Sequence, residues 1–242
     1  MYPKLSLIIP VYNSELFIED SINKLVKWSK EQNYSIELII VNDGSTDNSK
    51  KQLEFINKEN KVFKLISYPW NKGKGYAVKQ GMHAAKGDFK VFTDADIPYG
   101  FNNIDAIIKS LEFENFDVCI GNRKATKSDY HVKTSFFRNV SSRVFTFFIS
   151  KLVISGLGDT QCGLKGFTSE AAESIFSKVR INGFAFDVEA LYLSYKYKLN
   201  IKRIPVKFEG NSISTINLIS SSFRMFVDVL SLPINFHLLK KY

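Results

Sequence analysis

The chain has 242 residues, long enough for one large domain with its own hydrophobic core. Hydrophobic residues make up 45% and charged residues 24%, which excludes a disordered tail, a collagen-like chain and a coiled coil, and two cysteines are too few for a disulfide scaffold or a cysteine-based zinc site. The formal net charge is +9, and most of the excess falls in residues 123–151, which favours a local anionic partner.

The first half of the sequence alternates strand-like apolar runs with helix-like segments. Strands are predicted at residues 5–11, 36–41, 62–68, 89–93 and 117–121, and helices at residues 15–30, 46–59, 76–86 and 103–112. Ser45 or Thr46 is the expected N-cap of the second helix. Near-continuous apolar strands separated by amphipathic helices predict an α/β fold, in which helices cover both faces of a parallel sheet.

The second half is less regular. Helices are predicted at residues 135–154, 169–177, 186–197 and 216–232, and strands at residues 163–167 and 201–208. No linker separates the halves, so we expect one domain over residues 1–242, with residues 1–122 as its nucleotide-binding half. No signal peptide and no uncharged apolar run of about 18 residues is evident, so no transmembrane helix is expected.

Polar side chains cluster where the predicted strands end. Asn13, Asp43, the Asp94–Asp96 pair and Arg123 follow four of them. The carboxyl ends of strands in open α/β sheets are where ligands bind, so these groups should meet at one edge. Carboxylates spaced i, i+2 at a strand end can hold Mg²⁺ or Mn²⁺ together with a substrate diphosphate. The sequence lacks the G-x-G-x-x-G turn of dinucleotide-binding proteins and the P-loop of phosphotransferases, which disfavours both classes.

Several motifs together carry a family resemblance. The segments PVYN (10–13), VNDGSTD (41–47), NKGKGYAVKQG (71–81), DAD (94–96) and GNR (121–123) are similar to the GT-A fold glycosyltransferases of family 2. The segments DTQCGLKGF (159–167) and GFAFDVE (183–189) resemble the polyprenyl-phosphate sugar transferase branch, and dolichyl-phosphate β-glucosyltransferases in particular. The resemblance implies a mixed, mostly parallel GT-A sheet with helices on both faces, with residues 123–242 as an acceptor-binding half that carries interfacial helices.

The same resemblance implies an activity. It is the inverting transfer of a hexose, glucose being favoured, from a UDP-sugar to a polyprenyl (dolichyl or undecaprenyl) phosphate, with Mg²⁺ or Mn²⁺ as cofactor. The implied donor-binding residues are Pro10, Tyr12, Asn13, Glu15, Asp43, Lys72, Gly73, Lys74, Asp94 and Asp96. Asp94 and Asp96 are the implied metal ligands, and Asp96 and Asp187 the implied catalytic residues. Arg123, Arg138 and Ser142 are implied to hold the acceptor phosphate.

Departures from the family pattern refine these expectations. Ser14 intervenes before Glu15, where the family usually has Glu directly after PVYN. Pro98 stands where the mannosyltransferase pattern has Gln, which favours the glucosyl branch. Asp187 and Glu189 do not share a helix face, so only Asp187 is taken as a site carboxylate. Gln161 and Lys165 are further candidates for sugar or phosphate contacts. The loop of Lys72, Gly73 and Lys74 is expected to approach the nucleotide, and its glycine should allow close backbone approach.

Basic and aromatic residues alternate in residues 135–154, which is typical of a helix in a membrane interface, and residues 216–239 offer a second contact. We therefore expect a cytoplasmic protein bound peripherally at the inner membrane face. One alternative is a soluble family 2 enzyme that acts on a saccharide hydroxyl, in which Asp187 or Asp159 would be the general base. Another is a basic nucleic-acid-binding protein, which the carboxylates at the sheet edge disfavour because they would repel phosphates.

Overall fold

The computed structural model describes residues 2–123, 125, 159–208 and 218–239. The predicted helix at residues 135–154, with Arg138 and Ser142, lies outside the described residues. Most of the basic stretch that follows Arg123 lies outside them as well.

The described residues form seven strands and seven helices. The strands are β1 (Leu5–Val11), β2 (Ile36–Asn42), β3 (Lys64–Ser67), β4 (Phe89–Phe92), β5 (Val118–Asn122), β6 (Lys165–Thr168) and β7 (Ile201–Pro205). The helices are α1 (Ile18–Glu31), α2 (Ser49–Asn60), α3 (Lys74–Ala84), α4 (Gly100–Phe113), α5 (Ser169–Phe176), α6 (Phe186–Lys196) and α7 (Leu218–His237).

All seven of these strands join one sheet in the order β3-β2-β1-β4-β6-β5-β7. Neighbouring strands run parallel except around β6, which pairs antiparallel with both β4 and β5. The predicted mixed, mostly parallel sheet is confirmed. Because β6 comes from the second half of the sequence and lies between two strands of the first, the two halves share one sheet.

Helices cover both faces of the sheet, as predicted. Along β1 the side chains alternate, so that Leu7 and Ile9 enter one hydrophobic cluster and Ile8 enters the other. The first cluster takes buried residues from α1, α2 and α4, and the second from α3, α5, α6 and α7. This two-sided burial explains why the strands are nearly continuous apolar runs.

The start of α2 differs from the prediction. The helix α2 begins at Ser49, and neither Ser45 nor Thr46 caps it. Instead the backbone amide of Asn48 donates to Glu15 Oε2, and that of Ser49 donates to Asp47 Oδ1. The carboxylates of two neighbouring loops thus replace the expected hydroxyl cap.

The starting point of α3 and the end of α7 also differ from the prediction. Gly73, with φ of 101°, directly precedes α3, which begins at Lys74. The helix α7 continues through Pro233 to His237, beyond its predicted end. Over the described ranges, none of the helices combines the length and the apolar character that crossing a membrane requires.

Candidate active site

The loops that follow β1 and β2 are tied to each other at the edge of the sheet. Asn13, with φ of 48°, accepts the amide of Thr46 at 2.8 Å through Oδ1. Glu15 accepts the amide of Asn48 at 2.8 Å. Of the predicted donor-binding residues, Asn13 and Glu15 therefore join two loops of the rim, while Tyr12 next to them is 45% exposed.

Asp43 organises the loop before α3. Its carboxylate is 2% exposed and accepts the backbone amides of Lys72 at 2.8 Å and Gly73 at 3.0 Å. It also accepts from the side-chain amide of Asn71 at 3.0 Å. A carboxylate with three N–H donors is held firmly, so Asp43 fixes the path of residues 71–73. Asn71 is a member of this arrangement that the sequence reading missed.

Lys74 lies among three carboxylates. Its Nζ atom is 2.5 Å from Asp94 Oδ1. Burial by itself would lower the pKa of the Lys74 ammonium. The negative charges of Asp94, Asp187 and Asp96 outweigh burial, and the net result is a raised pKa. The structure thus brings α3, the end of β4 and the start of α6 together at one place.

Asp96 is the least compensated of these carboxylates. Burial is the main cause that raises the pKa of Asp96 to about 6, and the negative charge of Asp94 is the second. The positive charge of Lys74 offsets only part of this increase. The backbone next to it is strained, since Ile97 has a φ of 47°, a region that β-branched residues rarely adopt. Such strain is characteristic of functional loops.

Gly163 gives Asp94 its space. A Cβ atom at this glycine would lie 2.0 Å from Asp94 Oδ2 and 2.7 Å from Asp94 Cγ. Gly163, the first glycine of the DTQCGLKGF segment, is therefore required for close packing against Asp94, which follows β4. No local pattern in the sequence indicates this contact, because Asp94 and Gly163 are far apart along the chain.

Asp187 is held by a buried ion pair. Its Oδ1 atom accepts from Lys165 Nζ at 2.7 Å, and the two side chains are 7% and 0% exposed. Lys165 also donates to the carbonyl of Cys162 at 2.5 Å. The prediction that Lys165 contacts sugar or phosphate is therefore wrong: its ammonium is enclosed in the core and serves as the counter-ion of Asp187.

Arg123 follows β5 and binds Asp159 in a two-point arrangement. Its Nε atom donates to Asp159 Oδ2 at 2.9 Å and its Nη2 atom to Oδ1 at 2.7 Å. Burial by itself would raise the pKa of Asp159, but Arg123 outweighs burial and holds that pKa below its usual range. A carboxylate in this state is a weak proton acceptor, which counts against Asp159 as a general base.

A divalent cation fits the group around Asp94 and Asp96. Among the described residues, the carboxylates of Asp94, Asp96 and Asp187 face two ammonium groups, those of Lys74 and Lys165, so the group has an excess of negative charge. In the part of the chain that the structure describes, no three His, Cys, Asp or Glu residues are grouped to hold a metal by themselves. A Mg²⁺ or Mn²⁺ ion held by Asp94 and Asp96 would complete its shell with water and substrate phosphates.

Comparison with known proteins shows which family the chain belongs to. The model of glycosyl transferase family 2 matches residues 6–176, which is more than half of the sequence. The chain belongs to glycosyl transferase family 2. The predicted family is confirmed, and with it the expectation that the protein is a glycosyltransferase.

Curated relatives extend over most of the chain. It is 33% identical over 237 residues to a dolichyl-phosphate beta-glucosyltransferase of Dictyostelium discoideum, which covers 93% of this chain and 72% of the relative. It is 31% identical over 226 residues to the protein of that name from Homo sapiens, with coverage of 87% and 69%. The Saccharomyces cerevisiae protein of that name is 31% identical, with coverage of 93% and 73%. The predicted resemblance to this branch is thus confirmed.

Solved structures confirm the predicted GT-A fold. A glucosyl-3-phosphoglycerate synthase of Mycobacterium tuberculosis, in complex with Mn²⁺, UDP and phosphoglyceric acid, superimposes with a TM-score of 0.72 at 17% sequence identity. The match covers 95% of this chain and 78% of that one. The complex of the same synthase with Mn²⁺, UDP-glucose and phosphoglyceric acid gives a TM-score of 0.71.

Proposed function

We propose that the protein transfers glucose, with inversion, from UDP-glucose to a polyprenyl phosphate. The observation that carries this proposal is the 33% identity to a dolichyl-phosphate beta-glucosyltransferase over 93% of the chain. The family 2 match agrees with it, and so do fold neighbours whose complexes contain Mn²⁺ and UDP or UDP-glucose.

In the proposed reaction, an oxygen of the acceptor phosphate attacks the anomeric carbon of glucose while UDP leaves. A phosphate monoester has a second pKa near 6, so this nucleophile is already mostly dianionic at pH 7. It needs positioning rather than a general base. A site whose Asp159 is bound to Arg123 and whose Asp187 is bound to Lys165 suits such an acceptor better than a neutral sugar hydroxyl.

The proposed roles follow the contacts. Asp43 shapes the loop that borders the donor, and Lys74 supplies positive charge close to the diphosphate. Asp94 and Asp96 would hold Mg²⁺ or Mn²⁺, which when bound neutralises charge on the leaving diphosphate. Asp187 faces the same space from α6.

Acceptor binding is assigned to the second half of the chain, residues 123–242. Arg123 has the chemistry for a phosphate, and Arg138 and Ser142 complete the proposed acceptor site. Because Arg123 already binds Asp159 at two points, an acceptor phosphate would have to share or displace part of this pairing.

We further propose that the protein binds membranes peripherally, at the cytoplasmic face of the inner membrane, where a water-soluble donor and a lipid acceptor meet. Exposed apolar side chains form a row along α7 and the residue after it, at spacings of three and four residues: Val227 is 50% exposed, Leu230 36%, Ile234 51% and Leu238 76%. Such a row is suited to the bilayer interface. Vesicle flotation tests this contact. The double substitution Ile234→Glu with Leu238→Glu should abolish flotation with anionic vesicles, whereas the matched exposed control Phe55→Glu on α2 should not. Equal flotation of both variants would contradict this contact.

A donor screen tests the reaction. UDP-glucose, UDP-galactose, UDP-N-acetylglucosamine and GDP-mannose are each supplied with Mn²⁺ and a short polyprenyl phosphate, with Asp96→Ala as the control. We expect a lipid-linked sugar from UDP-glucose alone, and none from the variant. Transfer from another donor would overturn the choice of glucose, and donor turnover that lipid phosphate never accelerates would overturn the acceptor and favour a saccharide hydroxyl.

A further inference from the structure

Residues 180–183, which we call the 180–183 loop, pack against the start of α3. The carbonyl oxygen of Asn182 accepts the backbone amides of Gly75 at 2.8 Å and Tyr76 at 3.2 Å. These amides lie in the first turn of α3, where the helix itself offers them no acceptor. The loop therefore caps the helix that begins with Lys74.

The glycines of the NKGKG segment make this approach possible. A Cβ atom at Gly73 would lie 2.4 Å from the Asn182 carbonyl oxygen, and one at Gly75 would lie 2.4 Å from that of Ile181. At these two glycines the backbone lies close to the 180–183 loop, which any side chain at either position would push away.

Glu189, on α6, holds the other side of this loop. Its side chain is 0% exposed, and its Oε2 atom accepts the backbone amides of Ile181 at 2.7 Å and Arg180 at 3.0 Å. Hydrogen bonds to an ionised acceptor are about twice as strong as neutral ones. Asp187, two residues earlier, binds Lys165 instead. Of the two acids in the FDVE segment, one therefore pairs with a buried lysine and the other holds the 180–183 loop.

We propose that Glu189 is a positioning residue for the donor site. By holding the backbone at residues 180–181, it fixes the Asn182 carbonyl, which in turn fixes the first turn of α3 and Lys74. The 2.5 Å contact between Lys74 and Asp94 then depends on a carboxylate that is itself enclosed on α6. This inference rests on the proposed function, because it takes Lys74 and Asp94 as groups of the donor site.

Four variants separate this role from a general effect on folding. Glu189→Leu removes the acceptor, whereas Glu189→Gln keeps a carbonyl oxygen that both amides can use and serves as the conservative rescue. Gly75→Ala pushes on the loop, and on Phe186 Cβ at 2.6 Å, from the side of α3 without touching Glu189. Asn182→Ala is the matched control, because Asn182 is exposed and acts through its backbone carbonyl, which alanine retains.

Two measurements report the coupling. Hydrogen–deuterium exchange of a peptide covering residues 71–78 reads the capping of α3 directly, and calorimetry reads the Kd of UDP with Mn²⁺. We expect Glu189→Leu and Gly75→Ala to raise exchange and to weaken UDP binding about tenfold, the loss expected for one charge-assisted hydrogen bond. Glu189→Gln should recover most of both readouts, and Asn182→Ala should match the wild type.

Wild-type exchange at residues 71–78 in Glu189→Leu would overturn the inference, as would an Asn182→Ala variant that weakens UDP binding equally. If Glu189→Leu does not fold, Glu189→Asp, which keeps the carboxylate but shortens the side chain, decides by the same criteria. If the wild type binds no UDP, the proposed donor fails, while the exchange comparison still reports whether Glu189 controls the start of α3.

Discussion

Replacing Asp187 with asparagine should destabilise the protein strongly, for a reason separate from catalysis. Its carboxylate is 7% exposed and lies 2.7 Å from the ammonium of Lys165, which is 0% exposed. Without that carboxylate, Lys165 remains in the core with the Cys162 carbonyl as a partner but with its counter-ion removed. Taking one partner from a buried ion pair costs about 3–5 kcal/mol. That is a large part of the roughly 5–15 kcal/mol by which a typical domain is stable.

Urea unfolding of a small variant series measures this cost. Asp187→Asn should lower the free energy of unfolding by about 3–5 kcal/mol, whereas the double variant Lys165→Met with Asp187→Leu should lie within about 1 kcal/mol of the wild type, because it removes both charges and keeps the volume. A fall of less than about 1 kcal/mol in Asp187→Asn, or a double variant no more stable than the single one, would refute the reasoning.

The same series tests the proposed catalytic role of Asp187. Lys165→Met alone keeps the carboxylate, while the double variant lacks it. If Asp187 takes part in the reaction, kcat per folded molecule should be far lower in the double variant than in Lys165→Met. Equal kcat values would leave Asp187 as the counter-ion of Lys165 only.

Two further predictions concern the carboxylates after β4. Gly163→Ala should weaken the binding of UDP with Mn²⁺ by at least about tenfold in calorimetry, because the new Cβ would displace the Asp94 carboxylate. The control Gly183→Ala, whose Cβ would meet nothing within 4 Å, should bind UDP normally. Equal effects of the two substitutions would contradict the proposed role of Asp94 in donor binding. Asp96→Asn should stabilise the metal-free protein. Because the pKa of Asp96 is raised to about 6, its contribution to wild-type stability is fully present below the ordinary value of 3.8 and is lost as pH rises through about 6. With a discount for the partial exposure of Asp96, the gain should be about 1–2 kcal/mol at pH 7.5 in EDTA and should shrink toward pH 4, and no gain at pH 7.5 would contradict it.

Much of the fold could be predicted because the strands are buried on both faces. The strand β1 has the bounds predicted for it, and the mixed sheet and two-sided helix cover follow from the same apolar runs. The helix starts were less predictable, because the amides of α2 bond to Glu15 and Asp47, and those of α3 to Asn182. Glu15 and Asn182 come from other loops, so the sequence around each helix start carries no sign of them, and only Asp47 lies next to the helix that it caps.

The candidate site, too, could be predicted only in part. The Asp94–Asp96 pair could be found in the sequence because parallel strands bring their ends to one edge. The enclosure of Lys165, the packing of Gly163 on Asp94 and the anchoring of the 180–183 loop by Glu189 depend on β6 entering between β4 and β5 and on the placement of α6. Side chains that are far apart in sequence meet there, and no local pattern encodes such contacts.

The most direct test of the proposed function compares matched acceptors. Purified protein is given UDP-glucose and Mn²⁺ with a short polyprenyl phosphate, with the corresponding polyprenol or with a free saccharide, and the glucosylated product is quantified. We expect β-linked glucose on the polyprenyl phosphate, little on the alcohol or the saccharide, and none in Asp96→Ala. Transfer to the alcohol or the saccharide at a rate equal to or above that for the phosphate would contradict it.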